Sequence, residues 1–117
     1  MRVRQAARES ALAQGFSLVD QTKLVTAASE LARNALEYGG GGEVEIVRVS
    51  EPPRRGVRLI FVDHGPGIAD IEQALRDGFT SGGGLGLGLS GAKRLCNDFS
   101  IESKVGEGTK VTITRWR

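Results

Sequence analysis

The sequence lacks a second cysteine, a long apolar run and a pattern of basic residues alternating with aromatic residues. Its only cysteine is Cys96, which excludes an internal disulfide. No apolar run reaches about eighteen residues and no signal-peptide pattern is present, so we expect no membrane segment. The 16 Lys and Arg residues are interspersed with 14 Asp and Glu residues and do not alternate with aromatics, which argues against nucleic acid as a partner. We therefore expect a soluble, cytoplasmic protein.

The composition that remains is typical of a globular domain. Hydrophobic residues make up 39% of the chain and charged residues 26%, and both values lie near globular averages, so we expect folding rather than disorder. A chain of 117 residues can bury one modest core. We therefore expect a single domain over residues 1–117.

Capping residues and apolar periodicity predict the helices. The alanine-rich segment Arg2–Gln14 predicts a first helix, and Ser17 can cap a second helix that runs to Tyr38. A short helix is expected near 68–76. A last helix follows the glycine-rich segment and carries one apolar stripe of Leu89, Ala92, Leu95 and Cys96.

Four β-branched or alternating segments predict the sheet. Segments 43–49 and 57–63 flank SEPPRRG and predict a hairpin, and segments 99–103 and 109–116 alternate cleanly around KVGEG. The second strand has apolar residues on both parities and is expected inside the sheet, whereas a change of parity in the first strand predicts a bulge or a similar covering. The fold class is therefore α+β, a two-layer sandwich with helices on one face of a mixed, mainly antiparallel sheet.

The segment GGGLGLGL, over 82–89, is a candidate anion site. Its glycines free the backbone to turn N–H groups inward, and the helix that follows adds the positive end of its dipole. Together they predict a site for a phosphate-sized group. The alternative is a flexible connector, against which the regularly placed leucines argue. The segment matches neither a P-loop nor a dinucleotide fingerprint.

Two further motifs are candidates for binding a purine base. DHGPG, over 63–67, follows an apolar strand, and it is either an ordinary turn or a place where Asp63 accepts from the exocyclic amine of adenine beside two glycines. Thr109, in GEGTKVTI, is either a common strand former or a hydroxyl in the network around adenine and Asp63.

The second predicted helix carries ELARNALEY, in which Glu30 and Asn34 stand four residues apart and share one face. They are either two solvated polar residues or a functional pair. In the functional interpretation the Asn34 oxygen binds a Mg²⁺ ion that keeps most of its waters and bridges phosphates. Glu30 then accepts a proton from an attacking hydroxyl or water.

In this order, the motifs E-x-x-x-N, D-x-G-x-G, GG…GLGLGL and G-T-K-V resemble those of the GHKL (Bergerat-fold) ATP-binding superfamily. Three longer segments are similar in sequence to the RsbT-type switch serine/threonine kinases of bacterial stressosome modules. They are GFSLVDQTKLVTAASELARNALEYGGGGEVEI, DGFTSGGGLGLGLSGAKRL and DFSIESKVGEGT. The resemblance extends over nearly the whole chain. It departs at the N-terminus, where the family usually has a strand before its first helix and this chain begins almost at once with RVRQAARES; without that strand we expect an unpaired sheet edge.

The resemblance implies an ATP and Mg²⁺ site. Asn34 would serve the metal, Glu30 would be the catalytic base, and the adenine and phosphates would be bound by the remaining motif residues. The nucleotide-binding set is Asn34, Asp63, Gly65, Gly67, Ile68, Gly82, Gly83, Gly84, Leu85, Gly86, Leu87, Gly88 and Thr109. The implied partners are a STAS-domain protein substrate and, once phosphorylation frees the kinase, a downstream phosphatase or cyclase-type regulator.

Three functions are compatible with the sequence. The first is a serine/threonine kinase acting on a STAS-type substrate, and the second is a non-catalytic, nucleotide-dependent anti-sigma-like or adaptor module. The third is a detached histidine-kinase domain. The presence of Glu30 together with Asn34 favours the first over the second. The histidine-kinase function is disfavoured by the motifs SELARN and GLSGAKRL and by the presence of a single histidine, His64.

Overall fold

The computed structural model describes residues 2–75 and 85–117, which form four helices and four strands. In chain order the elements are α1 (Arg2–Ala13), α2 (Leu18–Gly39), β1 (Gly42–Glu51), β2 (Arg54–Asp63), α3 (Ile71–Ala74), α4 (Leu85–Leu95), β3 (Asp98–Lys104) and β4 (Gly108–Trp116). The predicted order of elements is confirmed. No helix in these two ranges is both long enough and apolar enough to cross a membrane.

Local signals set both ends of α2. Ser17 is the N-cap, and its side chain accepts a hydrogen bond from the Asp20 backbone N–H at 3.2 Å. At the other end Gly40 adopts a left-handed conformation with φ of 72°, and the Gly41 N–H donates to the Ala35 carbonyl at 2.8 Å. The predicted cap is confirmed, and the helix runs one residue beyond the predicted end.

The strand order is β1-β2-β4-β3, and each of the three pairs is antiparallel. Among the described strands the sheet is therefore antiparallel throughout rather than mixed. β2 lies between β1 and β4, as predicted. β1 pairs with β2 without interruption from Gly42 opposite Asp63 to Glu51 opposite Arg54, so the change of parity in β1 reflects no bulge. Ile46 and Val47 are instead both half-buried, and the hairpin turn is only two residues long.

The helices pack on one face of this sheet and enclose the core. Leu59 and Ile113 are paired in register on that face, as are Phe61 and Val111, and all four are buried. Opposite them lie buried residues from α1, α2 and α4, namely Ala7, Ala11, Leu24, Ala27, Ala28, Leu31, Leu89 and Ala92. This confirms the predicted two-layer α+β sandwich.

The start of α4 differs from the prediction. Residues Leu85, Gly86, Leu87 and Gly88 were expected in the glycine-rich loop, but they form the first turn of α4. The apolar period of Leu89 and Ala92 extends back to position 85, and this pattern outweighs the low helix propensity of two glycines. α3 is also shorter than predicted, with four residues.

Candidate active site

A cavity of about 160 Å³ lies between α2, α4 and the ends of β2 and β4. Most of its wall is apolar, and three of its lining residues have polar side chains, namely Asn34, Asp63 and Thr109. The full lining is Leu31, Asn34, Ala35, Phe61, Asp63, Pro66, Gly67, Ile68, Leu89, Thr109 and Val111. An apolar slot with a few convergent polar groups is the usual form of a site for a small organic ligand.

The sheet register brings two distant motifs together. Asp63 is the last residue of β2 and lies directly opposite Thr109 of β4, which in turn lies opposite Ser103 of β3. Partners in antiparallel strands project from the same face. The three polar side chains therefore form one row on the helix-facing side of the sheet.

Asp63 has one oxygen engaged by its own loop. The Gly65 backbone N–H donates to Asp63 Oδ1 at 3.0 Å, which is the hydrogen bond of an Asx turn. A carboxylate has two acceptor oxygens, so the second remains for a donor on a ligand. The structure thus places Gly65 outside the cavity lining, where its backbone orients the Asp63 carboxylate.

Gly67 is required by packing as well as by conformation. Its φ is +77°, and a Cβ at this position would collide with the Lys104 carbonyl oxygen. The loop is also bonded to the β3–β4 turn, because the Gly106 N–H donates to the Pro66 carbonyl at 2.8 Å. The loop that carries Pro66, Gly67 and Ile68 into the cavity wall is therefore seated directly on the hairpin.

Asn34 and Glu30 lie one turn apart on α2 but face different surroundings. Asn34 lines the cavity, and its Nδ2 is buried with no hydrogen-bond partner among the described residues. An unpaired buried amide is costly, so this one is an exception that calls for an explanation. Glu30 lies outside the lining, where its Oε1 accepts from Arg33 Nη2 at 3.0 Å in a partly exposed ion pair.

The predicted anion segment is described only in part. Gly82, Gly83 and Gly84 lie outside the described residues. Leu85, Gly86, Leu87 and Gly88 form the first turn of α4, whose backbone N–H groups have no partner within the helix. Leu89 follows at once and lines the cavity, so this turn lies within about 6 Å of it along the helix axis.

A metal site built from protein side chains alone is not present in 2–75 and 85–117. No three His, Cys, Asp or Glu side chains are grouped there in a way that could hold an ion. A cation at this site would take Asn34 as a protein ligand together with ligand oxygens and waters, as Mg²⁺ commonly does.

Sequence reasoning missed Ser103 and the apolar floor of the cavity. Ser103 Oγ accepts from the Ile68 N–H at 2.7 Å and lies 2.8 Å from Thr109 Oγ1. One signal could have identified it, because Ser103 has the same parity as the partly buried Phe99 and Ile101 and is a polar residue on an apolar face. The floor residues Leu31, Phe61 and Val111 lie in segments that were predicted as helix or strand, and no role at the site was predicted for them.

Comparison with known proteins matches residues 19–116 to the family described as histidine kinase-, DNA gyrase B-, and HSP90-like ATPase. The chain is 46% identical over 113 residues to the serine/threonine-protein kinase RsbT of Bacillus subtilis (strain 168), covering 97% of this chain and 85% of that protein. It is 32% identical over 106 residues to the anti-sigma F factor of Anoxybacillus flavithermus, covering 85% and 71%.

The fold is also similar to a solved structure, the mycobacterial sensor histidine kinase MprB. The TM-score is 0.62, at 23% identity, over 82% of this chain and 71% of that one. At this level of identity the likeness supports the fold alone.

Proposed function

This chain belongs to the histidine kinase-, DNA gyrase B-, and HSP90-like ATPase family, and we propose that it is a serine/threonine kinase that binds ATP with Mg²⁺ and phosphorylates a STAS-domain protein. The observation that carries the proposal is the meeting of Asn34, Asp63 and Thr109 on one apolar cavity. The similarity to RsbT over most of both chains supports the kinase activity.

The base end of the site is formed by the ends of β2 and β4. In this proposal the free oxygen of Asp63 accepts from the exocyclic amine of adenine, and the Thr109 hydroxyl joins the same network. Phe61 and Val111 are nearly fully buried beneath this row, and they offer an apolar floor to a flat ring. Adenine needs both an acceptor for its amine and an apolar surface, and the cavity has both.

The phosphate end is formed by α2 and α4. The unpaired, buried Asn34 amide fits a metal ligand, because its side-chain oxygen can be turned toward a cation by a flip of the amide. A bound Mg²⁺ ion would neutralise charge on the phosphates. The glycines 82–88 and the free N–H groups of the first turn of α4 would cradle the phosphate oxygens.

The transfer step needs a base near the phosphate end, and Glu30 is the candidate. The hydroxyl oxygen of a partner serine or threonine forms a bond to the γ-phosphorus, and the bond from that phosphorus to the β–γ bridging oxygen breaks. The hydroxyl proton passes to the Glu30 carboxylate, and ADP leaves. Arg33, bonded to Glu30 at 3.0 Å, restricts where that carboxylate lies.

The proposed setting is a cytoplasmic partner-switching system of the stressosome type. The STAS-domain protein serves as substrate, and its phosphorylation releases the kinase toward a downstream phosphatase or other regulator. The similarity to RsbT and to anti-sigma F factors supports regulatory partners of this kind.

A second candidate function is a non-catalytic, nucleotide-dependent anti-sigma-like or adaptor module. The 32% identity to an anti-sigma F factor favours it. The two functions share the nucleotide site and differ in the need for Glu30. A binder needs no proton acceptor beside the phosphates, whereas a kinase does.

Phosphotransfer from labelled ATP to purified STAS-domain proteins distinguishes the two functions. We expect the wild type to label a serine or threonine, and Glu30→Gln to bind ATP and the partner normally while transfer falls by roughly 10²–10⁴-fold, the usual contribution of a general base. Glu9→Gln changes an exposed glutamate of α1 outside the cavity lining and serves as the matched control. A wild type that binds a STAS partner without phosphorylating it would establish the adaptor function instead.

A further inference from the structure

We infer that Ser103 is a positioning residue for the base end of the nucleotide site. It ties the loop over Pro66–Ile68 to Thr109, so that the two sides of the base end keep one arrangement. The inference rests on the proposed function, since it assumes that the cavity takes an adenine base. It assigns a role to a side chain that lies outside the cavity lining.

The contacts of Ser103 join three segments at one hydroxyl. Its Oγ accepts from the backbone N–H of Ile68 at 2.7 Å and donates toward the carbonyl of Gly108 at 3.1 Å. The hydroxyl of Thr109 lies 2.8 Å away, within hydrogen-bond distance. Ile68 and Thr109 line the cavity from different elements, and Ser103 is bonded to both.

The bonding capacity of this hydroxyl is fully used when its proton is donated to the Gly108 carbonyl. A serine hydroxyl has one proton and two acceptor positions. Ile68 occupies one acceptor position, and the proton is directed to Gly108 or to Thr109. When Gly108 takes the proton, the Thr109 hydroxyl fills the remaining acceptor position. Ser103 therefore acts through its neighbours and not by touching the ligand.

The network also determines what Thr109 can offer to a base. If Ser103 donates to Thr109, the Thr109 proton is free to point into the cavity. If Thr109 donates to Ser103, only its lone pairs face the cavity. Without the Ser103 hydroxyl the Thr109 side chain loses this constraint, and the Ile68 N–H loses its acceptor at the same time. Both losses fall on the base end, because the phosphate end is built from α2 and α4.

Three variants test the inference. Ser103→Ala removes the hydroxyl, and Ser103→Thr keeps it. Ser100→Ala is the matched control, since Ser100 is an exposed residue of the same strand with the opposite parity. The affinities of the full chain for ATP, ADP and AMP are measured by calorimetry at a temperature where circular dichroism shows each variant to be folded. The rate of transfer to a STAS partner is measured at saturating ATP.

We expect Ser103→Ala to weaken the binding of all three nucleotides by a similar factor, roughly five- to thirtyfold, because binding must then order the loop and Thr109 without the one or two net hydrogen bonds that fix them in the wild type. The transfer rate at saturating ATP should stay at the wild-type level, because the base end does not touch the reacting atoms. Ser103→Thr should stay within about threefold of the wild type, since the hydroxyl that carries the bonds is retained. A purely structural role would lower the unfolding temperature without this split between affinity and transfer rate.

The inference is overturned if Ser103→Ala binds with wild-type affinity, if it weakens ATP while sparing AMP, or if Ser103→Thr loses as much affinity as the alanine variant. Should Ser103→Ala fail to fold, Ser103→Cys against Ser103→Thr gives the same comparison, because a thiol of similar size is a poor hydrogen-bonding group. A wild type that binds no adenine nucleotide removes the proposed function itself. A wild type that binds adenine nucleotides, together with a Ser103→Ala variant that binds them equally well, removes only this inference.

Discussion

Arg115 donates from Nη2 to Asp20 Oδ1 at 2.7 Å, which joins the end of β4 to the first turn of α2. The same guanidinium donates from Nη1 to the Leu95 carbonyl at 2.6 Å, at the C-terminal end of α4. One partly buried side chain therefore links the sheet to the two helices that form the cavity. The link lies at the end of the sheet opposite Asp63 and Thr109.

The Arg115 contact makes acid stability depend on Asp20. The hydrogen bond from Arg115 is the main cause that lowers the Asp20 pKa below its usual 3.8; Ser17 and the charges of Arg115 and Lys23 lower it further, and burial opposes them. The unfolded chain therefore binds this proton more readily than the folded chain does. Stability from Asp20 is present above about pH 4 and is lost as the pH falls through the lowered pKa.

We expect the free energy of unfolding of Asp20→Asn at pH 7 to be about 1–2 kcal/mol lower than that of the wild type. On acidification to pH 3 the free energy of unfolding should fall less in Asp20→Asn than in the wild type. Urea unfolding at pH 7, 4 and 3 measures both effects. Glu51→Gln is the control, because Glu51 pairs with Arg54 on the exposed surface, and there the loss should stay below about 0.5 kcal/mol. Equal acid sensitivity in wild type and Asp20→Asn would contradict the role of this contact.

Asp63→Asn should weaken nucleotide binding. The amide oxygen can keep the bond from the Gly65 N–H, which leaves an NH₂ donor facing the donor amine of adenine. The expected loss is about 1–3 kcal/mol of binding free energy, measured by titration calorimetry with ATP. Glu102→Gln, at an exposed position of β3, should bind as the wild type does. Unchanged affinity in Asp63→Asn would place adenine elsewhere.

Comparing Gly67→Ala with Gly106→Ala separates the cost of placing alanine at positive φ from the cost of a steric clash of the new Cβ. Both glycines have positive φ, +77° and +83°, so both substitutions carry a backbone cost of about 1 kcal/mol. Only at Gly67 does the new Cβ meet the Lys104 carbonyl, whereas at Gly106 it meets open space. Gly67→Ala should therefore lower the unfolding temperature more than Gly106→Ala does, and it should also weaken ATP binding. Similar thermal shifts in the two variants would show that the loop is not seated on the hairpin as described.

Asn34→Ala should weaken Mg²⁺-dependent ATP binding without destabilising the ligand-free protein. The buried Nδ2 has no described partner, so its removal should leave the stability of the ligand-free chain unchanged or slightly higher. The gain in ATP affinity that Mg²⁺ provides should shrink about tenfold or more. Titrations of ATP with Mg²⁺ and with EDTA measure the gain, and Glu30→Gln should retain it. A full Mg²⁺ effect in Asn34→Ala would remove the metal from this residue.

Local sequence was enough to predict most of the elements. The Ser17 cap, the glycines after α2 and the alternating strands each act over a few neighbouring residues, so their effects can be inferred without tertiary contacts. The motifs by themselves also indicated the family. Where local preferences conflict, the prediction was wrong, as at Leu85–Gly88, where helical periodicity prevails over glycine propensity.

Tertiary structure decided how these pieces meet. The strand order β1-β2-β4-β3 places Thr109 opposite both Asp63 and Ser103, and the parity of a single strand cannot specify which strands pair or in which register. Two other features also arise only when distant segments pack. They are the buried Asn34 amide without a hydrogen-bond partner and the close packing of Gly67 against the Lys104 backbone. The sequence by itself therefore determined which polar groups are available to the site. The long-range pairing of β2, β3 and β4 decided which of them share one face, because that pairing depends on the whole core and not on neighbours in the chain.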